Sequence, residues 1–323
     1  MEKSIMSDKL LEIKDFSVKF STEYAEVFAV NHVNIEISSG ESIGLVGETG
    51  AGKTTIALAT LNLLSKNASV KGDILFKGNS VFSMSDKELR TMRGAKIAMI
   101  FQNPLTALNP VFTVGEQIAM VIRAHENVSR KEAMERAKEL LNMVGIEKRR
   151  FKEYPNQFSG GMRQRVGIAA SLACNPELLI ADEPTTALDV TIQAQILELM
   201  KQLQQKYSTS LLMITHNLGI IAELCQKVAV MYAGTIIEYG TVKEVFSNPL
   251  HPYTKGLLNA IPKLEGERKR LEAIPGLIAD PQNLPVGCKF EPRCTKCDDR
   301  CKEFMPSMVK INDNHYIACY AVN

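Results

Sequence analysis

The stretch Gly47-Glu48-Thr49-Gly50-Ala51-Gly52-Lys53-Thr54 is the most informative segment of the 323-residue chain. It consists of a glycine, four further residues and then Gly-Lys-Thr, which is the pattern of loops that bind phosphate groups. The apolar run 43–46 precedes it, and the apolar, helix-like segment 56–64 follows it. This order of strand, tight loop and helix is the context in which the pattern binds nucleotides. A glycine-rich turn without a ligand is the alternative, and the complete pattern in the correct context disfavours it.

The residue types of this loop explain how it would hold an anion. Glycines adopt backbone conformations that other residues avoid, so several N–H groups can point at one phosphate. A helix that begins at Thr54 adds unpaired N–H groups and about half a positive elementary charge. We expect Lys53 to contact the β- and γ-phosphate oxygens and the Thr54 hydroxyl to ligate Mg2+.

Composition and charge narrow the class of protein. With 45% apolar residues, the chain is long enough for one large domain plus an appendage. The net charge of +2, with basic and acidic residues interspersed, is unlike the strongly basic surface of a nucleic-acid-binding protein. Even the long apolar run 218–237 contains Glu223 and Lys227, whereas a membrane-spanning helix needs about 20 apolar residues. The N-terminus has no apolar core for export, so we expect the protein to stay in the cytosol.

Strand patterns that alternate with helix patterns predict an α/β fold with a mainly parallel sheet covered on both faces. Residues 10–46 contain two strand patterns separated by polar turns, which predict an antiparallel β subdomain. The strand pattern at 97–101 runs through Gln102 into a proline-bounded loop, and about 103–175 is predicted to be a helical insertion. We place a boundary near Pro249, between an α/β domain at 1–249 and a C-terminal extension at 250–323.

Tyr24 lies between the N-terminal strand patterns, upstream of the phosphate-binding loop. An aromatic ring at this position could stack on the purine base of a nucleotide. Tyr24 or Phe20 could equally pack against the edge of the sheet, and the sequence does not separate the two interpretations.

Further polar segments follow the loop in a fixed order. Ser159-Gly160-Gly161 opens a helix, which is again an anion-binding geometry. A later apolar strand delivers Asp182 and Glu183 at its carboxyl end, where ligands of α/β proteins bind. Ala187-Leu188-Asp189 comes next, and His216 stands at the end of the following strand. A solvated loop after a buried strand is the alternative for the two carboxylates.

Together with Gln102, these segments resemble the motifs of an ATP-binding cassette (ABC). The matching motifs are the Walker A loop at 47–54, the Q-loop at Gln102, the signature sequence at Ser159 to Gln164, Walker B at Leu178 to Asp182, the D-loop at Ala187 to Asp189 and the switch histidine His216. Two positions depart from the usual signature, since Met162 replaces a common glutamine and Phe158 a common leucine. Both leave the serine and the glycines of the signature in place.

The resemblance extends beyond the cassette motifs and covers essentially Leu11 to the end of the chain. Phe101 to Pro110 and Gly287 to Cys294 are similar to the ATPase subunits of oligopeptide and dipeptide importers. The resemblance implies an ATPase at the cytoplasmic face of the cell membrane. Implied partners are a second ATPase subunit, homologous or identical, two transmembrane permease subunits and an extracytoplasmic substrate-binding protein. The competing interpretations are import of nickel or another small solute, a soluble ATPase that acts on nucleic acid or ribosomes, and an iron–sulfur sensor with a regulatory cassette.

The same resemblance gives each motif a role in ATP hydrolysis. The expected catalytic residues are Lys53, Gln102, Glu183 and His216. Thr54 and Gln102 are expected to ligate Mg2+ directly, and Asp182 is expected to orient the ion through a water molecule. Contacts to ATP are expected from Tyr24, Thr49, Gly50, Ala51, Gly52, Lys53, Thr54, Thr55, Gln102, Ser159, Gly160, Gly161 and Asp182. Glu183 would activate the attacking water, and His216 would sense the γ-phosphate. The signature residues would contact the ATP of a second cassette, so the resemblance implies a dimer.

Five of the seven cysteines lie between Cys288 and Cys319. In a reducing cytosol such a cluster favours a metal over disulfides. By resemblance, a [4Fe–4S] cluster is expected at Cys288, Cys294, Cys301 and Cys319, with Cys297 as a spare thiol. Zinc and no metal are the alternatives. The spacings are looser than those of the paired units typical of structural zinc, which favours the iron–sulfur cluster over zinc. Cys174 and Cys225 lie alone in apolar surroundings and are expected to be small buried hydrophobic residues.

Overall fold

The computed structural model describes residues 9–103, 108–186, 188–260 and 274–322. Residues 104–107 of the predicted Q-loop, Ala187 of the predicted D-loop and 261–273 of the extension lie outside the described residues. Backbone contacts divide the chain into two compact units. The helical unit takes its residues from 1–10, 37–42 and 77–214, and the phosphate-loop unit from 11–36, 43–76 and 215–323.

The described residues form β-strands, α-helices and short 3-10 turns. The strands are β1 (Lys9–Ser21), β2 (Glu26–Ser38), β3 (Ser42–Val46), β4 (Ala68–Phe76), β5 (Asn79–Ser80), β6 (Ile97–Ile100), β7 (Leu178–Asp182), β8 (Ser210–Thr215), β9 (Lys227–Tyr232), β10 (Thr235–Thr241), β11 (Val309–Asn312) and β12 (His315–Ile317). The α-helices are α1 (Lys53–Thr60), α2 (Asp86–Met92), α3 (Val114–His125), α4 (Arg130–Met143), α5 (Gly160–Ser171), α6 (Val190–Tyr207), α7 (Leu218–Leu224), α8 (Val242–Ser247), α9 (Pro252–Asn259) and α10 (Asp299–Glu303). Short 3-10 turns occupy Lys148–Lys152, Pro155–Gln157, Glu291–Arg293 and Tyr320–Val322.

The helical unit contains the parallel strands β6, β7 and β8. Strand β7 lies between the other two, with Leu178 opposite Ile97 on one side and Ser210 on the other. Every residue of β7 and β8 is buried, as expected for parallel strands that are covered on both faces. The carboxyl ends of parallel strands meet at one edge of the sheet. Residues that follow β6 and β7 are therefore brought together at that edge.

In the same unit, capping residues explain where the helices begin, and apolar residues explain which helix faces are buried. Thr113 and Glu116 form a capping box at the start of α3, and the Ser129 hydroxyl accepts a hydrogen bond from the Glu132 N–H at the start of α4. Within the predicted helical insertion, α3 and α4 pack against each other and against α5. Ala133, Ala137 and Leu141 form the buried face of α4.

The phosphate-loop unit contains both parallel and antiparallel pairs. Strand β3 is parallel to β9, and β9, β10, β12 and β11 follow as antiparallel neighbours. In a second sheet, β1 is antiparallel to β4 and lies beside β2. The expected α/β fold with an antiparallel N-terminal sheet is confirmed. The pair of β11 and β12 in the extension was not predicted, because the two strands are only four and three residues long and most of β11 is exposed.

None of the helices that the structure describes combines the length and the apolar composition needed to cross a bilayer.

Candidate nucleotide site

The phosphate-binding loop connects the buried strand β3 to α1, and its glycines are required by its backbone path. Gly50 and Gly52 have φ angles of 83° and 96°, in the left-handed region that favours glycine. A side chain at Gly47 would overlap the carbonyl oxygen of Met231, and one at Gly52 would overlap that of Ala29. The loop is therefore held tightly against the neighbouring backbone of its own unit.

Lys53 is the first residue of α1 and is only 6% exposed. Its Nζ donates hydrogen bonds to the carbonyl oxygens of Gly47 at 2.8 Å and Glu48 at 3.0 Å. Gly52 is the N-cap of α1, and a glycine has no side chain that could accept a hydrogen bond from the first N–H groups of the helix. A side-chain cap therefore does not compete with an anion for these N–H groups. Thr54 is exposed and Thr55 half-buried on the first turn. The loop thus combines a fixed ammonium group with a helix N-terminus.

Glu48 is held by a further contact from the same unit. The hydroxyl oxygen of Tyr253 accepts a hydrogen bond from the Glu48 N–H at 2.9 Å. Burial raises the pKa of Tyr253 above its usual range, so the hydroxyl stays neutral at physiological pH. Tyr253 could not be connected with the loop from the sequence, because the two lie 205 positions apart.

The helical unit brings Gln102 and Glu183 together. Glu183 follows β7, has a φ of 45° and donates its N–H to the carbonyl oxygen of Ile214 at 2.8 Å. Its Oε2 accepts hydrogen bonds from Thr186 Oγ1 at 2.7 Å and Gln102 Nε2 at 3.4 Å. Asp182, the last residue of β7, is only 2% exposed. The carboxylate edge therefore consists of a buried Asp182 and a positioned Glu183.

Thr186 is a contributor to this edge that was missing from the predicted site. It orients the Glu183 carboxylate, and its N–H donates to the Glu183 carbonyl oxygen at 3.2 Å in the same turn. The spacing of three residues between Glu183 and Thr186 is the signal that could have indicated it, since such spacing brings the two together in a turn.

The signature segment forms the N-terminus of α5 in the helical unit. Ser159 is the N-cap, and its hydroxyl accepts a hydrogen bond from the Met162 N–H at 3.4 Å. Gly161 is buried, and a side chain there would overlap Ile192 of α6. Phe158 is 3% exposed, and the Arg150 guanidinium lies 4.2 Å from its ring centre. The unusual phenylalanine is thus a core residue that anchors the loop before the helix.

His216 is the residue that follows β8, and it belongs to the phosphate-loop unit. Its side chain is exposed, and Asn217 after it caps α7 by accepting a hydrogen bond from the Gly219 N–H at 2.9 Å. The predicted site residues are therefore divided between the units. Those of the phosphate-loop unit are Tyr24, residues 49–55 and His216, and those of the helical unit are Gln102, Ser159, Gly160, Gly161, Asp182 and Glu183.

Comparisons with known proteins agree with these motifs. The family model described as ABC transporter matches residues 30–186, and the model for the C-terminal region of oligopeptide/dipeptide transporters matches residues 237–301. A probable peptide ABC transporter ATP-binding protein, y4tR of Sinorhizobium fredii, is 47% identical over 328 residues, covering 100% of this chain and 98% of its own. The oligopeptide transport ATP-binding protein AppD of Bacillus subtilis is 47% identical over 315 residues, covering 96% of each chain.

The chain belongs to the ABC transporter ATP-binding protein family. Among solved structures, a dimeric post-hydrolysis state of the ATP-binding cassette MJ0796, bound to ADP and Pi, matches with a TM-score of 0.65 and 27% identity. The match covers 72% of this chain and 99% of that one. The segments at 47–54, 159–164 and 178–182 all lie within the range that the ABC transporter model matches. Their assignment as the Walker A, signature and Walker B segments stays a prediction.

Tyr24 lies in the turn between β1 and β2 of the cassette, and its side chain is 95% exposed. The interpretation of Tyr24 as a packing residue at the sheet edge is therefore wrong. Its proposed role in stacking on the base is not tested by this observation and stays a prediction.

The cysteines of the extension differ in their exposure. Cys288, Cys301 and Cys319 are buried, Cys294 is half-buried and Cys297 is exposed. The Cys288 N–H donates to the Cys301 carbonyl oxygen at 2.8 Å. Burial raises the pKa of Cys288 to about 11, with a smaller contribution from the thiols of Cys301, Cys319 and Cys294. Across the described ranges, no group of three or more His, Cys, Asp or Glu side chains is arranged to hold a metal ion.

The two cysteines outside the extension differ in their surroundings. Cys225 is buried, and burial raises its pKa to about 12, in agreement with the expectation of a small buried residue. Cys174 is only half-buried, with its Sγ 3.9 Å from the Val121 carbonyl oxygen. Burial raises its pKa, and the charges of Glu126 and Arg136 also influence that pKa. The expectation of a buried residue in apolar surroundings is therefore wrong for Cys174.

Replacing Gly52 by alanine is expected to destabilise the cassette more than replacing Gly50. Both positions have positive φ angles, which cost an L-residue roughly 1–2 kcal/mol. At Gly52 the added methyl group would also overlap the Ala29 carbonyl oxygen, whereas at Gly50 it meets none of the described atoms within 4 Å. Urea unfolding of Gly52→Ala, Gly50→Ala and the unaltered protein measures the difference. Equal losses of stability in the two variants would contradict the close approach of the loop to Ala29.

Proposed function

We propose that this cassette hydrolyses ATP as the nucleotide-binding subunit of an importer of dipeptides or oligopeptides. The observation that carries the ATPase part is the positioning of Glu183 by Gln102 and Thr186 after the Walker B strand. The names of the relatives y4tR and AppD, and the match to the C-terminal region of peptide transporters, support peptides as the solute.

The Walker A loop is proposed to bind the phosphates of ATP. Backbone N–H groups of residues 49–55 and the Lys53 ammonium would hold the β- and γ-phosphates. Lys53 is already fixed at the loop by its two carbonyl acceptors, so little conformational entropy is lost when it meets the anion. Tyr24, fully exposed in its turn, is proposed to stack on the base.

Glu183 is proposed to act on the attacking water. The water oxygen forms a bond to the γ-phosphorus, the bond from that phosphorus to the β–γ bridging oxygen of ADP breaks, and the Glu183 carboxylate accepts the proton of the water. Gln102 and Thr186 would keep the carboxylate oriented during this step. His216 is proposed to stabilise the γ-phosphate.

The residues proposed to hold Mg2+ are Thr54, Gln102 and Asp182. Their donors are a hydroxyl, an amide oxygen and a carboxylate, the hard oxygen ligands that Mg2+ prefers. Asp182 is 2% exposed at the carboxyl end of β7, and a carboxylate that deep is stabilised by a nearby cation. The ion would offset the negative charge of the phosphates.

The signature segment is proposed to serve a second cassette. Ser159, Gly160 and Gly161 begin a 12-residue helix, so their N–H groups and the serine hydroxyl can contact the γ-phosphate of a partner's ATP. The partner would be a homologous ATPase subunit or a second copy of this chain. Closure of the pair on ATP and its opening after hydrolysis would drive the membrane subunits between inward and outward states.

The pair of cassettes is proposed to work with two transmembrane permease subunits and an extracytoplasmic substrate-binding protein. The chain would then be peripheral at the cytoplasmic face of the cell membrane, with the loop after Gln102 contacting a permease helix. Nickel or another small solute is the alternative cargo within this family. A soluble ATPase that acts on nucleic acid or ribosomes, and an iron–sulfur sensor with a regulatory cassette, receive no support from the names of the relatives.

We also propose that Cys288, Cys294, Cys301 and Cys319 ligate a [4Fe–4S] cluster. The four thiols supply the soft sulfur donors that iron–sulfur sites use, and three of them, those of Cys288, Cys301 and Cys319, are buried in the extension. The proposal rests on these donors and on the resemblance, because the described residues form no metal-ligating group. Its role would be to fix the extension.

Substitutions of Glu183 and Lys53 test the proposed ATP site in the purified chain. Glu183→Gln is expected to keep MgATP affinity and to lose hydrolysis by at least about a hundredfold, because an amide cannot accept the proton of the water. Lys53→Ala is expected to lose MgATP binding itself, because it removes the ammonium from the loop. Calorimetry and phosphate release distinguish the two losses. Near-normal hydrolysis by Glu183→Gln, or undiminished affinity in Lys53→Ala, would refute the corresponding assignment.

Purification from membranes tests the proposed role in transport. Purification of the tagged chain from solubilised membranes is expected to recover two permease subunits, and ATP hydrolysis by the assembly is expected to rise with a peptide-loaded binding protein. Stimulation by a nickel-loaded binding protein instead would reassign the cargo. A chain recovered only from the soluble fraction together with nucleic acid or ribosomes would contradict import.

The absorbance and the metal content of the purified protein test whether the cysteines ligate an iron–sulfur cluster. Protein purified without oxygen is expected to show the broad visible absorbance of an iron–sulfur cluster and about four iron atoms per chain. Cys294→Ser is expected to lose both signals, whereas Cys297→Ser, which changes the exposed thiol, is expected to keep them. Colourless protein with stoichiometric zinc would overturn the iron–sulfur proposal, and colourless protein without any metal would overturn metal binding.

A further inference from the structure

Glu48 gives the Walker A loop a negative charge of its own. It is the second residue of the loop, and its carbonyl oxygen accepts hydrogen bonds from Lys53 Nζ at 3.0 Å and from the Ala51 N–H at 3.1 Å. Its carboxylate therefore belongs to the same fixed segment that is proposed to receive a triphosphate. A carboxylate in that position repels a polyanion unless a cation offsets its charge.

Arg293, in the C-terminal extension, lies against this carboxylate. Its Nη1 donates to Glu48 Oε2 at 2.8 Å and its Nη2 to Glu48 Oε1 at 3.2 Å, which is the two-pronged geometry of a strong arginine–carboxylate pair. The side chain of Arg293 is 4% exposed and that of Glu48 is 24% exposed. Water and salt therefore screen this pair less than they screen a surface ion pair.

The remaining donors of Arg293 hold the guanidinium in place. Its Nε donates to the Pro275 carbonyl oxygen at 2.9 Å, Nη2 also donates to the Ile274 carbonyl oxygen at 3.3 Å, and Nη1 also donates to the Tyr232 hydroxyl at 3.4 Å. An arginine has five N–H donors, and each has an acceptor in this arrangement. The cation is thus fixed beside Glu48 and does not exchange freely among surface partners.

We propose that Arg293 is a positioning residue for nucleotide binding: acting through Glu48, it neutralises the loop's own carboxylate so that the loop can accept a nucleoside triphosphate. The proposal rests on the proposed function of the loop as the ATP site. Through this ion pair the C-terminal extension raises the affinity for ATP, whether or not the cysteines bind a metal.

Three variants of the full chain test the charge argument. Arg293→Met, which keeps much of the side-chain volume, leaves the Glu48 charge unpaired and is expected to weaken MgATP affinity about tenfold. Glu48→Gln removes the negative charge and is expected to bind MgATP within about twofold of the unaltered chain, or more tightly. The double variant Glu48→Gln/Arg293→Met is expected to recover the affinity lost in Arg293→Met. Dissociation constants for MgATP, measured by calorimetry, report these differences.

A role in folding alone would give another pattern. If Arg293 only braced the loop, Arg293→Met and Glu48→Gln would weaken binding alike, and the double variant would show no recovery; that result would overturn the proposal. Arg300→Met is the matched control, because Arg300 lies in the same extension but is 58% exposed and pairs with Asp298. It is expected to leave MgATP affinity unchanged, and a tenfold loss there would show that the extension acts by some route other than this ion pair.

If Arg293→Met does not fold, Arg293→Lys and the double variant still test the proposal. Arg293→Lys retains the positive charge and is expected to bind MgATP within about threefold of the unaltered chain. A double variant that binds MgATP tenfold more weakly than the unaltered chain would overturn the proposal. Failure of the unaltered chain to bind MgATP would instead refute the ATP site itself. Normal affinity in a folded Arg293→Met would refute only the inference about Arg293.

Discussion

The hydrogen bonds from Lys53 to the carbonyl oxygens of Gly47 and Glu48 are the interaction on which the site depends. They tie the ammonium group to the loop on the side where the first N–H groups of α1 begin. The close approach of Gly47 and Gly52 to neighbouring carbonyl oxygens leaves no room for a side chain at these two positions. Charge and backbone donors are therefore in place before any phosphate arrives, and such preorganisation lowers the entropic cost of binding.

The carboxylate edge of the helical unit is organised by the same principle. Because β6 and β7 are parallel and adjacent, their carboxyl ends meet, and Gln102 and Glu183 come within hydrogen-bonding distance. Glu183 has a left-handed backbone conformation, which costs energy for a non-glycine residue, and its turn is held by Thr186 and by the Ile214 carbonyl oxygen. Strain of this kind, retained next to a buried aspartate, is typical of a functional position.

Much of the fold and of the site followed from local sequence pattern. The glycine pattern at 47–54, the apolar run of β7 and the helix start at Ser159 each depend on neighbours within a few positions, so sequence alone predicts them. The hairpin of β11 and β12 was missed because its strands are only four and three residues long and most of the first is exposed. The partners of Glu48 were missed for a different reason: Arg293 lies 245 positions away, and no local pattern predicts a contact at that separation.

The central claim is that the Walker A loop and Lys53 receive the phosphates of ATP. A crystal structure of the Glu183→Gln chain with MgATP tests it most directly. The account predicts that the γ-phosphate contacts Lys53 Nζ and that N–H groups of residues 49–55 bind the β- and γ-phosphates. A structure in which the triphosphate lies away from the loop, with Lys53 Nζ making no contact to a phosphate oxygen, would contradict it.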